Sequence, residues 1–183
     1  MTRCVMNKNN TGLLIVDIQG NLARQVHDSH GFITRCETLI KGAKILGLPI
    51  IILEQNPEKL GSTIEEIRLL LPDQPRLAKY TFDGCLSDSL MEALQFTEVE
   101  NWLVCGIEAH VCVYQTAKGM AKAGLDVHMV SDCIASRSAE NHALAISKCS
   151  ALGLSITGLE MCLFELVKDC RADEFKPILI LIK

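Results

Sequence analysis

Four uninterrupted apolar runs punctuate the chain: Leu13-Leu14-Ile15-Val16, Ile50-Ile51-Ile52-Leu53, Trp102-Leu103-Val104-Cys105 and Val127-His128-Met129-Val130. Half-exposed strands alternate apolar and polar residues, whereas strands covered on both faces read as continuous apolar runs, so these predict a parallel sheet. Helical periodicity fills the gaps, near residues 31–46, 62–70, 86–95, 109–123 and 139–152. In the first of these Phe32, Cys36, Leu39, Ile40 and Ala43 share one face. Gly47-Leu48, Gly124-Leu125 and Gly153-Leu154 each close a helical stretch and open an apolar one, as glycine does when it takes the left-handed conformation after a helix. Ser62-Thr63-Ile64-Glu65 has the form of a capping box. Alternating strands and helices imply a doubly wound α/β fold.

No Pro-, Gly- or Ser-rich linker divides the 183 residues, and 49% apolar composition supplies one sizeable core. One domain over residues 1–183 is therefore expected, with 1–10 as an N-terminal tail. The apolar segment 175–183, containing Ile178-Leu179-Ile180-Leu181-Ile182, is expected to pack on the domain or, second, to form an interface with another subunit. No run approaches the ~18 apolar residues of a membrane span, and the N-terminus lacks a signal-like run, so a cytoplasmic protein without a membrane partner is expected. Eighteen basic against 22 acidic residues give a formal charge of −4 without a basic stripe, which argues against nucleic acid as partner. Nine cysteines, an odd number with no Cys-x-x-Cys pair, predict free thiols in a reducing compartment.

Ligands of open parallel sheets bind beyond the carboxyl ends of the strands. The apolar runs end there in Asp17-Ile18-Gln19, in Glu54-Gln55-Asn56 and in Cys105-Gly106-Ile107-Glu108, with Lys79 closing the short segment Arg76–Lys79. The third leads into Ala109-His110-Val111-Cys112 at a predicted helix start, where the helix dipole lowers a thiol's pKa. Asp17 could accept the thiol proton, Lys79 could balance the charge, and free amides at the helix start could stabilise an oxyanion, a combination suited to acyl transfer. Each residue also has a plain reading: Asp17 as a turn cap, Cys112 as a core thiol, Lys79 as a solvated charge. His110, two residues from Cys112, falls on a different helix face and is read as structural or substrate-lining. His27, His30, His128 and His142 lack ligand spacing, and no Gly-x-Gly-x-x-Gly, phosphate loop or Gly-x-Ser-x-Gly occurs. Neither a metal nor a cofactor is expected.

Leu14-Ile15-Val16-Asp17-Ile18-Gln19, Ala78-Lys79-Tyr80-Thr81-Phe82 and Cys105-Gly106-Ile107-Glu108-Ala109-His110-Val111-Cys112-Val113-Tyr114-Gln115-Thr116-Ala117 together resemble the three signature blocks of the isochorismatase-like hydrolases. The likeness continues through Val130–Arg137 to about residue 168 and is nearest the small stand-alone isochorismatase domain proteins. It implies a three-layer αβα, Rossmann-like domain with a six-stranded parallel sheet. It also implies a triad of Asp17, Lys79 and Cys112, with the backbone amides of Glu108 and Cys112 as oxyanion hole and a non-proline cis peptide before Glu108. Gln19, Phe82 and His110 are then expected to line the substrate, and a homo-oligomer, dimer or larger, is implied.

Two departures narrow the chemistry. Nicotinamidases of the superfamily carry an Asp-x-His after the second strand, where this chain reads Leu53-Glu54-Gln55-Asn56-Pro57-Glu58; isochorismatases proper often lack the cysteine. The expectation is a metal-independent cysteine hydrolase acting on a small amide or related acyl compound. The alternative is a catalytically idle, oligomeric binding module of the same fold. Asp83, where many relatives have Ser, either alters substrate preference or caps the following helix.

Overall fold

The computed structural model describes residues 5–183. In chain order the elements are β1 (Thr11–Val16), α1 (Leu22–Gln25), α2 (Ser29–Ile45), β2 (Ile50–Gln55), α3 (Pro57–Leu60), α4 (Glu65–Leu70), β3 (Arg76–Lys79), a 3₁₀ turn (Gly84–Leu86) and α5 (Asp88–Phe96). There follow β4 (Asn101–Ile107), a π-helical turn (Ala109–Val113), α6 (Tyr114–Lys122), β5 (Asp126–Ala135), α7 (Ala139–Ala151), β6 (Ser155–Thr157), α8 (Leu159–Val167) and α9 (Phe175–Ile182). All strands pair in parallel, in the order β3-β2-β1-β4-β5-β6.

Every residue of β1, β2 and β4 is buried, which is why these strands read as continuous apolar runs. Successive side chains alternate between two cores. Leu13, Ile15, Leu103 and Cys105 pack with α2, α8 and α9 through Phe32, Leu39, Leu163 and Ile178. Leu14, Val16, Trp102 and Val104 pack with α5, α6 and α7 through Leu90, Met120 and Cys149. The chain winds outward from β1 in one direction and from β4 in the other, so the β1/β4 boundary is the switch point where a crevice opens. At that boundary Gly106 has φ +124°, and a Cβ there would lie 2.0 Å from the Val16 carbonyl oxygen. Only glycine lets β4 pass so close to β1.

One detail departs from the sequence reading, and both ends of the described chain take definite positions. The capping box does not form: both the amide and hydroxyl of Thr63 donate to Glu54 Oε1 (2.7 and 2.6 Å), and α4 starts only at Glu65 after Ile64. The described part of the expected N-terminal tail packs on the domain. Met6 is buried in the core, Asn7–Asn10 fold into a turn, and Lys8 pairs with Glu174 just before α9; residues 1–4 lie outside the described residues. The C-terminal apolar run is helix α9, which docks Ile178 into the core and leaves Ile180 facing outward.

Candidate active site

Asp17 is the first residue beyond β1, and its φ of 52° turns the chain sharply so that the carboxylate points into the crevice. Aspartate tolerates this left-handed conformation better than most residues. Lys79 ends β3, Gln55 ends β2, and Cys112 lies in the π-helical turn after β4. These four residues come from four separate elements and meet in the interior. Lys79 Nζ donates to Asp17 Oδ2 (2.8 Å), Gln55 Oε1 (2.7 Å) and the Thr81 carbonyl (3.3 Å). Cys112 Sγ lies 4.0 Å from Gln55 Oε1. Asp17 and Lys79 are each 1% exposed and Cys112 is 7% exposed, so among the three ionisable members the thiol is the nearest to the outside.

The two oxygens of Asp17 are in different circumstances. Oδ2 is held by Lys79, whereas Oδ1 is buried without a hydrogen-bond partner among the described residues. Burial pushes the Asp17 carboxyl above its ordinary 3.8, against the Lys79 charge and the hydrogen-bonding influence of the neighbouring Cys112 thiol. The expectation of a lowered thiol pKa at Cys112 is overturned. Desolvation, followed by the negative charge of Asp17, pushes it up to about 12, against the opposing pull of Lys79. At neutral pH Cys112 therefore rests as a thiol rather than a preformed thiolate.

The peptide between Ile107 and Glu108 is cis. The Glu108 carbonyl accepts from the amides of Val111 (3.0 Å) and Val113 (3.2 Å), passing over the Cys112 amide between them. The Glu108 carboxylate accepts from Arg137 Nε (2.9 Å) and from the Arg137 amide (3.3 Å), which ties the end of β5 to this turn.

The expected lining residues separate. The Gln19 side chain is fully buried and committed to the scaffold: it donates to the carbonyls of Gln55 (3.1 Å) and Gly61 (2.6 Å) and accepts from the Gln55 amide (2.6 Å). It thus holds the β2 end in place instead of presenting an amide to a ligand. Phe82 is 55% exposed in the loop that follows Lys79, and His110 Nδ1 is 2.9 Å from Ser136 Oγ. Asp83 caps the 3₁₀ turn by accepting from the Cys85 amide (2.9 Å). Sequence reasoning noted the Glu54-Gln55-Asn56 strand end but gave Gln55 no role, although its place at the carboxyl end of β2 marked it. Among the described residues no group of three His, Cys, Asp or Glu side chains is arranged to hold a metal ion.

A parallel α/β sheet thus carries Asp17, Lys79 and Cys112 together at its switch point, a built polar site at the place where such sheets bind ligands. The isochorismatase domain matches residues 11–161, and the chain belongs to that family of hydrolases. It is 35% identical over 152 residues to the secreted isochorismatase effector Isc1 of Phytophthora sojae, spanning 80% of this chain and 71% of that protein. It is 34% identical over 152 residues to isochorismatase domain-containing protein 1 of Salmo salar, again spanning 80% of this chain but about half (52%) of the relative's length. Among solved structures, the MAR1 ribonuclease from Caenorhabditis elegans superposes with a TM-score of 0.92 at 32% identity, covering 98% of this chain and 92% of that one. The octameric hydrolase YcaC from Escherichia coli (TM-score 0.92, 22% identity, 99% and 92% covered) shares the fold. So does YcaC from Pseudomonas aeruginosa, solved with hexane-2,5-diol and covalent acrylamide (TM-score 0.91, 23% identity, 98% and 92% covered).

Proposed function

We propose that the protein is a metal-independent cysteine hydrolase of small amides or related acyl compounds, with Cys112 as nucleophile, Asp17 as base and Lys79 as the fixed counter-charge. The observation that carries this reading is the asymmetry of Asp17: one oxygen is held by Lys79, the other is buried and unpartnered among the described residues, on a carboxyl that interacts with the Cys112 thiol.

The chemistry follows from that asymmetry. As a substrate carbonyl approaches, Asp17 Oδ1 takes the thiol proton and Sγ bonds to the carbonyl carbon, whose π electrons move onto oxygen. The amides of Glu108 and Cys112 are the donors assigned to that oxygen. Collapse expels the amine, which leaves with the proton from Asp17, and a thioester remains. Water then gives a proton to Asp17 and adds to the thioester; collapse releases the acid and returns the proton to sulfur. Burial holds the resting Cys112 thiol up at about 12, so in this scheme its proton moves to Asp17 as the carbonyl is attacked.

Acrylamide covalently held in the P. aeruginosa relative supports a reactive nucleophile in that fold and makes acrylamide the probe of choice here. The ribonuclease activity named for the C. elegans relative is not adopted, since a net charge of −4 without a basic stripe suits a phosphate backbone poorly. Assembly into a homo-oligomer belongs to the same proposal, supported by the octameric E. coli relative and by outward-facing Ile180 on α9; mass in solution tests it. A cytoplasmic setting is supported by eight described cysteines, all free, although the Phytophthora relative is named as secreted. Among the described residues no helix is long and apolar enough to cross a membrane.

The test is acrylamide addition followed by peptide mass spectrometry, with the exposed Cys170 as reference thiol on the same chain. Cys112 is expected to be labelled in the wild type, and Asp17→Asn is expected to lose that labelling while Cys170 reacts as before. Equal labelling of Cys112 in both proteins, or equal turnover of a panel of small primary amides by wild type and Cys112→Ala, would end the assignment.

A further inference from the structure

An ammonium has three protons, and at Lys79 all three are used: on Asp17 Oδ2, on Gln55 Oε1 and on the Thr81 carbonyl. Lys79 can therefore approach neither Asp17 Oδ1 nor the thiol without giving up one of these partners. Gln55 is the one side chain besides Asp17 among the three. Its amide orientation is decided by its other end, where Nε2 donates to the Tyr80 carbonyl (3.0 Å); a carbonyl only accepts, so Oε1 must face Lys79. The backbone of Gln55 is gripped from both sides by the buried Gln19 amide, at 2.6 Å to its N–H and 3.1 Å to its carbonyl. Gln55 Oε1 is thus a fixed acceptor between the ammonium and the sulfur.

We propose that Gln55 is a positioning residue: its locked carbonyl oxygen holds Lys79 on Oδ2 of Asp17 and so keeps Oδ1 free for the Cys112 proton. This rests on the cysteine chemistry proposed above. Without that acceptor Lys79 gains an idle N–H, and Oδ1 of the same carboxylate it already touches, unpartnered among the described residues, is an acceptor open to it. A carboxylate engaged through both oxygens by one ammonium has lost the lone pair that the thiol proton needs.

The charged and titratable groups facing Gln55 are Lys79 from β3, Asp17 from β1 and Cys112 from the π-helical turn. Neighbouring Glu54 is turned away onto Thr63. The choice of glutamine over its isosteres follows from this setting. Methionine has the length but offers only a weak thioether acceptor. A protonated glutamate reproduces glutamine, with its O–H donating to the Tyr80 carbonyl and its carbonyl accepting from Lys79. An ionised one turns a bare oxygen on the Tyr80 carbonyl and draws Lys79 away from Asp17. Gln55→Glu is therefore a version of the wild-type contact that works only while protonated.

The experiment follows acrylamide addition at Cys112, normalised to Cys170, between about pH 5 and 9 in wild type, Gln55→Glu and Gln55→Met. Relative to wild type, Gln55→Glu is expected to label comparably at the acid end and about ten-fold or more slowly at the alkaline end, the change that one pKa unit represents. Gln55→Met is expected to be slow throughout. A Gln55→Glu ratio that is flat with pH, whether near one or uniformly depressed, overturns the proposal, because a merely structural role would not titrate. Should Gln55→Met fail to fold, recovery of Gln55→Glu in acid carries the test alone. Failure of wild-type Cys112 to outpace Asp17→Asn takes down the cysteine reading and this one together. A sound wild type with a flat Gln55→Glu profile removes only the role of Gln55.

Discussion

Asp17 Oδ2 lies 2.8 Å from Lys79 Nζ inside the protein, with the two side chains 2% and 0% exposed. Each ion is bearable there only because of the other: removing one partner from a buried pair leaves an uncompensated charge and typically costs about 3–5 kcal/mol. Lys79→Met is expected to lose stability on that scale in denaturant unfolding. The same change removes the main influence opposing the burial-driven rise at Asp17. The carboxyl then keeps its own proton to higher pH and cannot take one from Cys112. Acrylamide labelling at Cys112 should therefore fall at neutral pH and recover in part as pH rises; labelling as fast as wild type throughout would remove Lys79 from the site.

The raised carboxyl of Asp17 also has a signature in stability. Folding raises its pKa above 3.8, so the folded state binds this proton more tightly than the unfolded chain. The resulting contribution is complete below about 3.8 and is lost as pH rises through the folded value. Asp17→Asn has no such titration. The unfolding free energy of wild type minus that of Asp17→Asn is therefore expected to decrease with rising pH from about 4 upward, as read by urea titrations at matched pH values. Parallel profiles would mean that Asp17 does not titrate differently in the fold.

How far such properties could be read from sequence depended on whether they are local. The four apolar runs announced β1, β2, β4 and the first half of β5 because double burial leaves no polar positions to interrupt them. The second half of β5 was hidden by Ser131-Asp132, and a register shift between Val104 and Gly106 accommodates its pairing with β4. The capping-box sequence at residues 62–65 was locally sound but lost to a distant competitor, the Glu54 carboxylate. The thiol at Cys112 failed in the same way: a dipole argument concerns one helix, whereas desolvation and the Asp17 charge are supplied by the whole fold. Asp17, Lys79 and Cys112 stood out by residue type at strand and helix ends. Gln55 did not, because a glutamine's role is set by which way its amide points, and the Tyr80 carbonyl decides that.

Gly106 offers a sharper backbone test. Its φ of +124° and the 2.0 Å that would separate an added methyl from the Val16 oxygen leave no room between β1 and β4. Gly106→Ala must either separate the two central strands or shift the turn that follows. We expect a loss above about 4 kcal/mol, seen as insoluble or unfolded protein, the range reserved for severe backbone conflicts. Gly47→Ala, at a positive φ but with open space around the added methyl, should fold with a much smaller loss.

Arg137 separates anchoring from stability. Its side chain is 61% exposed while its Glu108 partner is 10% exposed, so solvent screens the pair and Arg137→Ala should change the unfolding free energy by less than about 1 kcal/mol. Glu108 would nevertheless lose the guanidinium that fixes the side chain of the residue whose amide is assigned to the oxyanion. Addition of a thiolate to acrylamide builds negative charge on the carbonyl oxygen, so the labelling reaction senses those donors. A slowing of about three- to ten-fold at Cys112, with Cys170 unaffected, is expected for a loosened donor rather than a deleted one. If Arg137→Ala labels at the wild-type rate, the ion pair is a surface contact only and the Glu108 amide is held by the turn itself.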